Sequence, residues 1–264
     1  MDMGADIRRP LGGSPPPDNP DIKRTAFLLD VDGTILDIAA TPSGVVVSQS
    51  LRTTLKRLLE ESDQGVAFVS GRTIQDLDHL FTPLNYPSIG GHGAEMRVTV
   101  GGPIMKRYRA PLTESLRRQL CLLVTVDRRI LVEDKSYSIA VHYRLALEQE
   151  AFLRNKVAAI VSADLAGNVE VLHGKAVIEI KSAPFTKGLA VRELMTHPPF
   201  AGRSPVFIGD DTTDESVFAI LPQLGGRGYS VGKTVLGVQG MFASPEDVRG
   251  WLAQLCAGGG AGHE

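Results

Sequence analysis

Five residues, Asp30-Val31-Asp32-Gly33-Thr34, constrain this chain more than any other stretch. They follow the apolar run Ala26-Phe27-Leu28-Leu29 directly. A short apolar run closed by glycine predicts a buried parallel strand and the turn that ends it. In open α/β sheets, ligands collect beyond the carboxyl ends of the strands. The pattern therefore sets two carboxylates, two residues apart, where chemistry is usually done. One could attack phosphorus and form an aspartyl-phosphate while the other moves protons. A solvated turn would also use acids freely, so the rest of the chain has to decide.

A second acidic loop answers the first. Pro205-Val206-Phe207-Ile208 is another apolar run, and Gly209-Asp210-Asp211-Thr212-Thr213-Asp214-Glu215 follows it, with Ser216 to Ala219 reading as helix. Acids crowded at two strand ends repel one another unless a cation lies between them. A hard divalent cation such as Mg²⁺ takes oxygen ligands, one or two of them carboxylates. Helix capping accounts for one of these aspartates, but not for four acids in six residues beside a second acidic strand end.

Two further turns suit an anion. Val66-Ala67-Phe68-Val69 stops at Ser70-Gly71-Arg72, before a helix expected over 73–81. A hydroxyl and backbone N–H groups at a strand-to-helix turn favour negative charge, although Ser70 alone reads equally as an N-cap. Thr186-Lys187-Gly188 opens a helix expected over 188–197. The helix dipole disfavours a lysine there, which points Lys187 at a nearby anion.

The ordered set Asp30-x-Asp32-Gly33-Thr34, Ser70-Gly71-Arg72, Lys187-Gly188 and Gly209-Asp210-Asp211-x-x-Asp214 resembles the haloacid dehalogenase superfamily of phosphatases. Closer still, the chain resembles the trehalose-6-phosphate phosphatase family. That finer likeness rests on Phe68 to Arg72, Gly91-His92-Gly93-Ala94-Glu95, Val141-His142-Tyr143-Arg144, Val177 to Lys181 and Phe207 to Glu215, and it runs from about Thr25 to Leu252. The resemblance implies an α/β fold, with a Rossmann-like parallel-sheet core and a smaller α+β cap of αββαββ order. It implies Asp30 and Asp32 as catalytic residues. Ser70, Gly71, Arg72 and Lys187 would bind phosphate. Mg²⁺ would be held by Asp30, the Asp32 main-chain carbonyl and Asp210, with Asp211 and Asp214 behind them. The substrate implied is trehalose 6-phosphate. The core motifs fit equally a phosphatase for sucrose 6-phosphate or mannosyl-3-phosphoglycerate; a phosphoryl mutase, which would need a bisphosphate activator, and a non-catalytic sugar-phosphate sensor are further rivals. The sensor would be expected to lose one carboxylate of the Asp30–Asp32 pair.

The texture of the chain matches this plan. Residues 1–22 carry five prolines and read as a disordered tail, and 257–264 as a flexible one. Segments 23–110 and 184–256 alternate strand and helix as a discontinuous core, including a helix around 51–59 and a hairpin over 89–105. Between them, 111–183 reads as helix, two strands, helix, two strands: helices over 113–126 and 147–163, and strands near 130–132, 137–143, 169–172 and 176–180. Such an insertion can cover the core as a lid that excludes water and reads the leaving group. By resemblance Glu133, Lys135 and Glu179 would grip sugar hydroxyls. Glu133 and Lys135 share a face, and Glu179 points opposite to Ile178 and Ile180. Support from His92 or Glu95 is open. His142 reads as a packed strand histidine, and Arg144 and Lys181 as ordinary surface charges.

At 264 residues with 43% hydrophobic residues, the chain can bury one large or two modest cores. A net charge of −2, with no basic block, argues against nucleic acid. No apolar stretch is long enough to span a membrane, and the start lacks the features of a secretory signal. Cys121 and Cys256 sit in apolar helical patterns and read as buried free thiols, so a cytoplasmic protein is expected, as is a monomer.

Overall fold

The structure is a computed structural model describing residues 19–38, 44–107, 112–135, 137–164, 169–182 and 185–258. Both expected tails therefore lie mostly outside the described residues, as do the expected hinges at 110–111 and 183–184. In chain order the strands are β1 (Thr25–Leu29), β2 (Val66–Val69), β3 (Ser88–Gly90), β4 (Glu95–Arg97), β5 (Met105–Lys106), β6 (Leu131–Asp134), β7 (Ser138–His142), β8 (Val169–Gly174), β9 (Val177–Ser182), β10 (Ser204–Gly209), β11 (Arg227–Val231) and β12 (Gly240–Phe242). The helices are α1 (Gln49–Glu61), α2 (Ile74–Phe81), α3 (Glu114–Cys121), α4 (Glu150–Ala163), α5 (Lys187–Leu194), α6 (Glu215–Phe218) and α7 (Pro245–Gly258).

Eight strands form one sheet in the order β12-β11-β10-β1-β2-β3-β4-β5. Every pair from β12 to β3 is parallel, and the β3–β4–β5 edge is antiparallel. The residues of β1 are all buried because the sheet is covered on both sides. The pleat divides them. Phe27 and Leu29 join a core with Leu55 and Leu58 of α1, Phe81 of α2 and Trp251 of α7. Ala26 and Leu28 face the other way, into a core with Ala190, Val191 and Leu194 of α5 and Val217 of α6.

The other four strands form an antiparallel sheet in the order β6-β7-β9-β8. One face packs on α3 and α4 through Leu116, Leu153, Val157, Ile139, Ile178 and Ile180. The opposite face is left for the other members of each strand, Glu133, Ala140 and Glu179 among them.

Three expectations change in detail. The helix over 113–126 is α-helical only to Cys121 and then tightens into a 3₁₀ turn, Leu122–Thr125. The hairpin over 89–105 is a three-strand meander, because Gly91-His92-Gly93 makes an extra tight turn between β3 and β4. Cys256 is buried, but Cys121 is only half-buried. No helix of the described residues is long and apolar enough to cross a membrane.

Candidate active site

Asp30 sits just past the end of β1, and its N–H donates to Ile208 O of β10 at 2.9 Å. This pins the ends of the two acidic strands side by side. Lys187, the first residue of α5, reaches between them. Its Nζ donates to Asp30 Oδ1 at 2.8 Å and to Asp214 Oδ1 at 2.7 Å. The helix itself is capped by Thr186, which accepts from Leu189 N, so the ammonium is free to serve the acids. Thr34 Oγ1 donates to the other Asp30 oxygen at 3.0 Å. Asp30, Asp214 and Lys187 are all buried.

Asp30, Asp210 and Asp214 offer carboxylate oxygens that lie within 4.8 Å of one another. Burial lifts Asp30 well above the usual aspartate range; Lys187 opposes this, and Asp214 and Asp210 add to it. Asp210 is raised for the same first reason, against Lys175. The two carboxylates hold Lys187 above its ordinary value although burial works against it. Three buried carboxylates, faced by Lys187 and by the largely exposed Lys175 on Asp210, are hard-oxygen donors that suit a small divalent cation. Space is tight as well: a β-carbon on Gly33 (φ 80°) would fall 2.4 Å from Asp210 Oδ2. Asp211 stands apart from this trio. Its Oδ1 accepts from Thr212 N at 2.7 Å, and its N–H donates to Asp214 Oδ2 at 3.0 Å, a reciprocal cap of the loop.

Asp32 is gripped by Arg72, whose Nε and a terminal nitrogen donate to its two oxygens at 2.6 and 2.7 Å. Ser70, buried at the end of β2, accepts from Arg72 N at 3.2 Å. Gly71 is needed for packing, because a β-carbon there would meet the His92 ring at 2.4 Å.

The small sheet faces this constellation across a cavity of about 430 Å³, within the range of small-molecule sites. Register places Glu133, Ala140 and Glu179 in one row across β6, β7 and β9. Glu179 accepts from Ser138 Oγ at 2.7 Å, and His92 Nε2 lies 2.7 Å from its second oxygen. Burial would raise the Glu179 pKa; His92 and Lys135 overcome it and hold the group far below the usual range. Lys135 lies 3.8 Å from Glu133 and 3.9 Å from Glu179, and donates to Gly71 O at 3.0 Å. Burial also works against the charge on Lys135, and the two glutamates keep it raised. Glu133 is lowered by His142 and Lys135 despite its burial.

Thus Asp30, Asp32, Ser70, Gly71, Arg72, His92, Glu133, Lys135, Glu179, Lys187, Asp210 and Asp211 line one cavity, with Asp214 directly behind Lys187. Glu95 does not join them. Its Oε2 accepts from Ile74 N at 2.9 Å, holding the start of α2, and it is absent from the cavity wall. Lys181, expected as a surface charge, is instead buried and serves the small sheet, paired with Glu170 at 2.9 Å. His142 and Arg144, set aside as packing and surface charge, do line the cavity, and His142 Nε2 lies 3.3 Å from Glu133. Lys175, Asp76 and Arg129 line it too. The sequence offers no signal for them beyond polarity.

A parallel sheet carrying paired acids at its central strand end, covered by a small α+β unit, is the architecture of capped phosphatases of the haloacid dehalogenase type. Solved structures agree in fold. The C-terminal domain of a Candida albicans trehalose-6-phosphate phosphatase matches with a TM-score of 0.77 and 23% identity, over 89% of this chain and 92% of that one. The sequence profile described as trehalose-phosphatase matches residues 28–239, and the chain belongs to that family. Among relatives, it is 37% identical to a probable trehalose-phosphate phosphatase of Sinorhizobium fredii over 238 residues, 89% of each chain. It is 34% identical to the trehalose-6-phosphate phosphatase of Escherichia coli over 230 residues, 87% of this chain and 86% of the other.

Proposed function

We propose that this protein hydrolyses trehalose 6-phosphate to trehalose and inorganic phosphate, in two steps, through a phosphorylated Asp30. The observation that carries this reading is the buried Asp30 carboxylate on the floor of the cavity, bonded to Lys187 and grouped with Asp210 and, behind Lys187, Asp214. Its roof carries the Glu133, Lys135 and Glu179 group.

Asp30 attacks phosphorus as the ester bond to the sugar oxygen breaks. Asp32 gives that oxygen its proton, then takes one from the water that cleaves the acyl-phosphate. Arg72 occupies both carboxylate oxygens of Asp32, so donation requires that pair to open first. An entering phosphate is a natural competitor for the guanidinium, which suits bidentate recognition of either anion. Lys187 and Ser70 stand where they can hold the non-reacting phosphate oxygens. Asp30, Asp210 and the Asp32 main-chain carbonyl are the groups we assign to Mg²⁺, with Asp214 behind Lys187. When bound, the metal supplies positive charge that offsets the repulsion between a carboxylate nucleophile and a phosphate dianion.

The roof supplies selectivity. Glu133 and Glu179 accept hydroxyl hydrogen bonds, Lys135 donates them, and all three are held by neighbours before the sugar arrives, which favours tight recognition. Phosphate release from trehalose 6-phosphate, glucose 6-phosphate and sucrose 6-phosphate, with Mg²⁺, tests the assignment. A strong preference for the first supports it. Equal rates on all three would leave a less selective sugar phosphatase, and no release from any would leave a binding protein.

A further inference from the structure

The β8–β9 hairpin turns through Lys175 and Ala176, between the paired residues Gly174 and Val177. Ala176 carries a φ of 60°, left-handed backbone that a β-carbon disfavours and that persists only where its surroundings enforce it. Those surroundings are visible: Tyr143 N donates to Ala176 O at 3.0 Å, and Arg144 to Lys175 O at 3.2 Å. The turn is thus braced from behind by the residues that follow β7, and it aims Lys175 across the cavity. Lys175 Nζ donates to Asp210 Oδ2 at 2.8 Å.

This contact is unusual in its partners. The carboxylate is 5% exposed and belongs to the acidic trio on the floor, whereas the lysine side chain is 61% exposed and comes from the roof. Roof and floor meet at a second place, around His92, where Glu179 and Lys135 dock. Glu179 lies four residues beyond Lys175 on the same hairpin. An ammonium on Oδ2 and a divalent cation on the same carboxylate repel each other strongly in a buried setting.

We propose that Lys175 is a roof-borne counter-ion that occupies Asp210 until a divalent cation takes that carboxylate, so that metal loading frees the hairpin from the floor while the His92–Glu179 contact still holds. The inference rests on the phosphatase reading, in which Asp210 is a metal ligand. It adds that the metal must displace a residue of this chain, and that the displacement is felt on the strand carrying Glu179.

The test is calorimetric titration of the full-length protein with MgCl₂, without substrate, for wild type, Lys175→Met and Lys175→Arg. It is paired with mass-spectrometric measurement of amine acylation at Lys175. Methionine fills the space without the charge, so Lys175→Met should bind Mg²⁺ about fivefold more tightly, the order set by losing one half-exposed ion pair. Lys175→Arg should stay near wild type, and acylation of wild-type Lys175 should speed up severalfold when Mg²⁺ is added. Equal Mg²⁺ affinities across the three proteins overturn the inference and leave the phosphatase reading standing. Weaker binding by Lys175→Met also overturns it, because the lysine would then be supporting the cation. An acylation rate indifferent to Mg²⁺ overturns the released hairpin. If wild type and both variants bind no Mg²⁺ at all, the inference and the metal-dependent reading fall together.

Discussion

Replacing Lys187 by methionine removes the buried ammonium that Asp30 and Asp214 share. At an effective dielectric of about 20, contacts of 2.8 and 2.7 Å are worth about 6 kcal/mol of attraction each. Desolvating the ammonium takes back several kcal/mol. What the variant suffers, however, is two buried carboxylates left without their cation. Breaking a buried pair in that way costs about 3–5 kcal/mol, a large part of the 5–15 kcal/mol that holds a typical protein folded. Urea unfolding at pH 7 in Mg²⁺-free buffer measures the loss.

The pH dependence carries a second check on the same variant. Burial already raises Asp30 in the folded protein, and Lys187 opposes that rise. Without Lys187 the folded pKa moves higher still. The folded variant therefore binds a proton more readily than its unfolded chain, and its deficit shrinks as pH falls from 7 towards 5. In wild type, the contribution of Lys187 is full below the ordinary lysine pKa and is lost as pH rises through the raised value. Lys187→Met combined with Asp214→Asn should recover part of the loss. A deficit below about 1 kcal/mol that is flat with pH would refute the reasoning, because the acids would then not depend on Lys187.

Asp30→Asn should bring phosphate release to background while leaving circular dichroism and unfolding cooperativity unchanged; a rate within tenfold of wild type rules out Asp30 as nucleophile. Glu179→Gln keeps the shape but weakens the bonds to His92 and Ser138. It should raise KM for trehalose 6-phosphate about tenfold or more, the scale of one charge-assisted hydrogen bond, with a much smaller change for glucose 6-phosphate. Equal effects on both substrates would remove Glu179 from the sugar set. Gly33→Ala brings a β-carbon into the Asp210 carboxylate at a φ of 80°. It should lower Mg²⁺ affinity in calorimetry more than it lowers the unfolding midpoint, and an unchanged affinity would place the cation elsewhere.

Much of the floor was legible because it is written locally. An apolar run followed by Asp-x-Asp-Gly already says strand end, and β1 and β10 begin and end within a residue of the runs that announced them. The pleat also placed Glu179 correctly, opposite Ile178 and Ile180, which lie in the small core. What could not be read is what depends on contacts distant in sequence. The Arg72 grip on Asp32 spans 40 residues, and the Lys175 contact with Asp210 spans 35. Glu95 shares a Gly-rich loop with His92 yet turns the other way, because the His92 backbone sits at a φ of 54° and the chain reverses there. Among the four clustered acids, only the tertiary position of Lys187 separates Asp214, which it binds, from Asp211, which caps the loop.

In the proposed mechanism, Asp30 carries the phosphoryl group between the two steps. Rapid acid quenching of the wild-type protein during turnover of trehalose 6-phosphate with Mg²⁺, followed by peptide mass spectrometry, looks for that bond directly. One phosphoryl group is expected on the peptide containing Asp30, localised to that residue and lost on longer incubation. An unmodified peptide throughout a burst of phosphate release, with Asp30→Asn releasing phosphate at the wild-type rate, would contradict it.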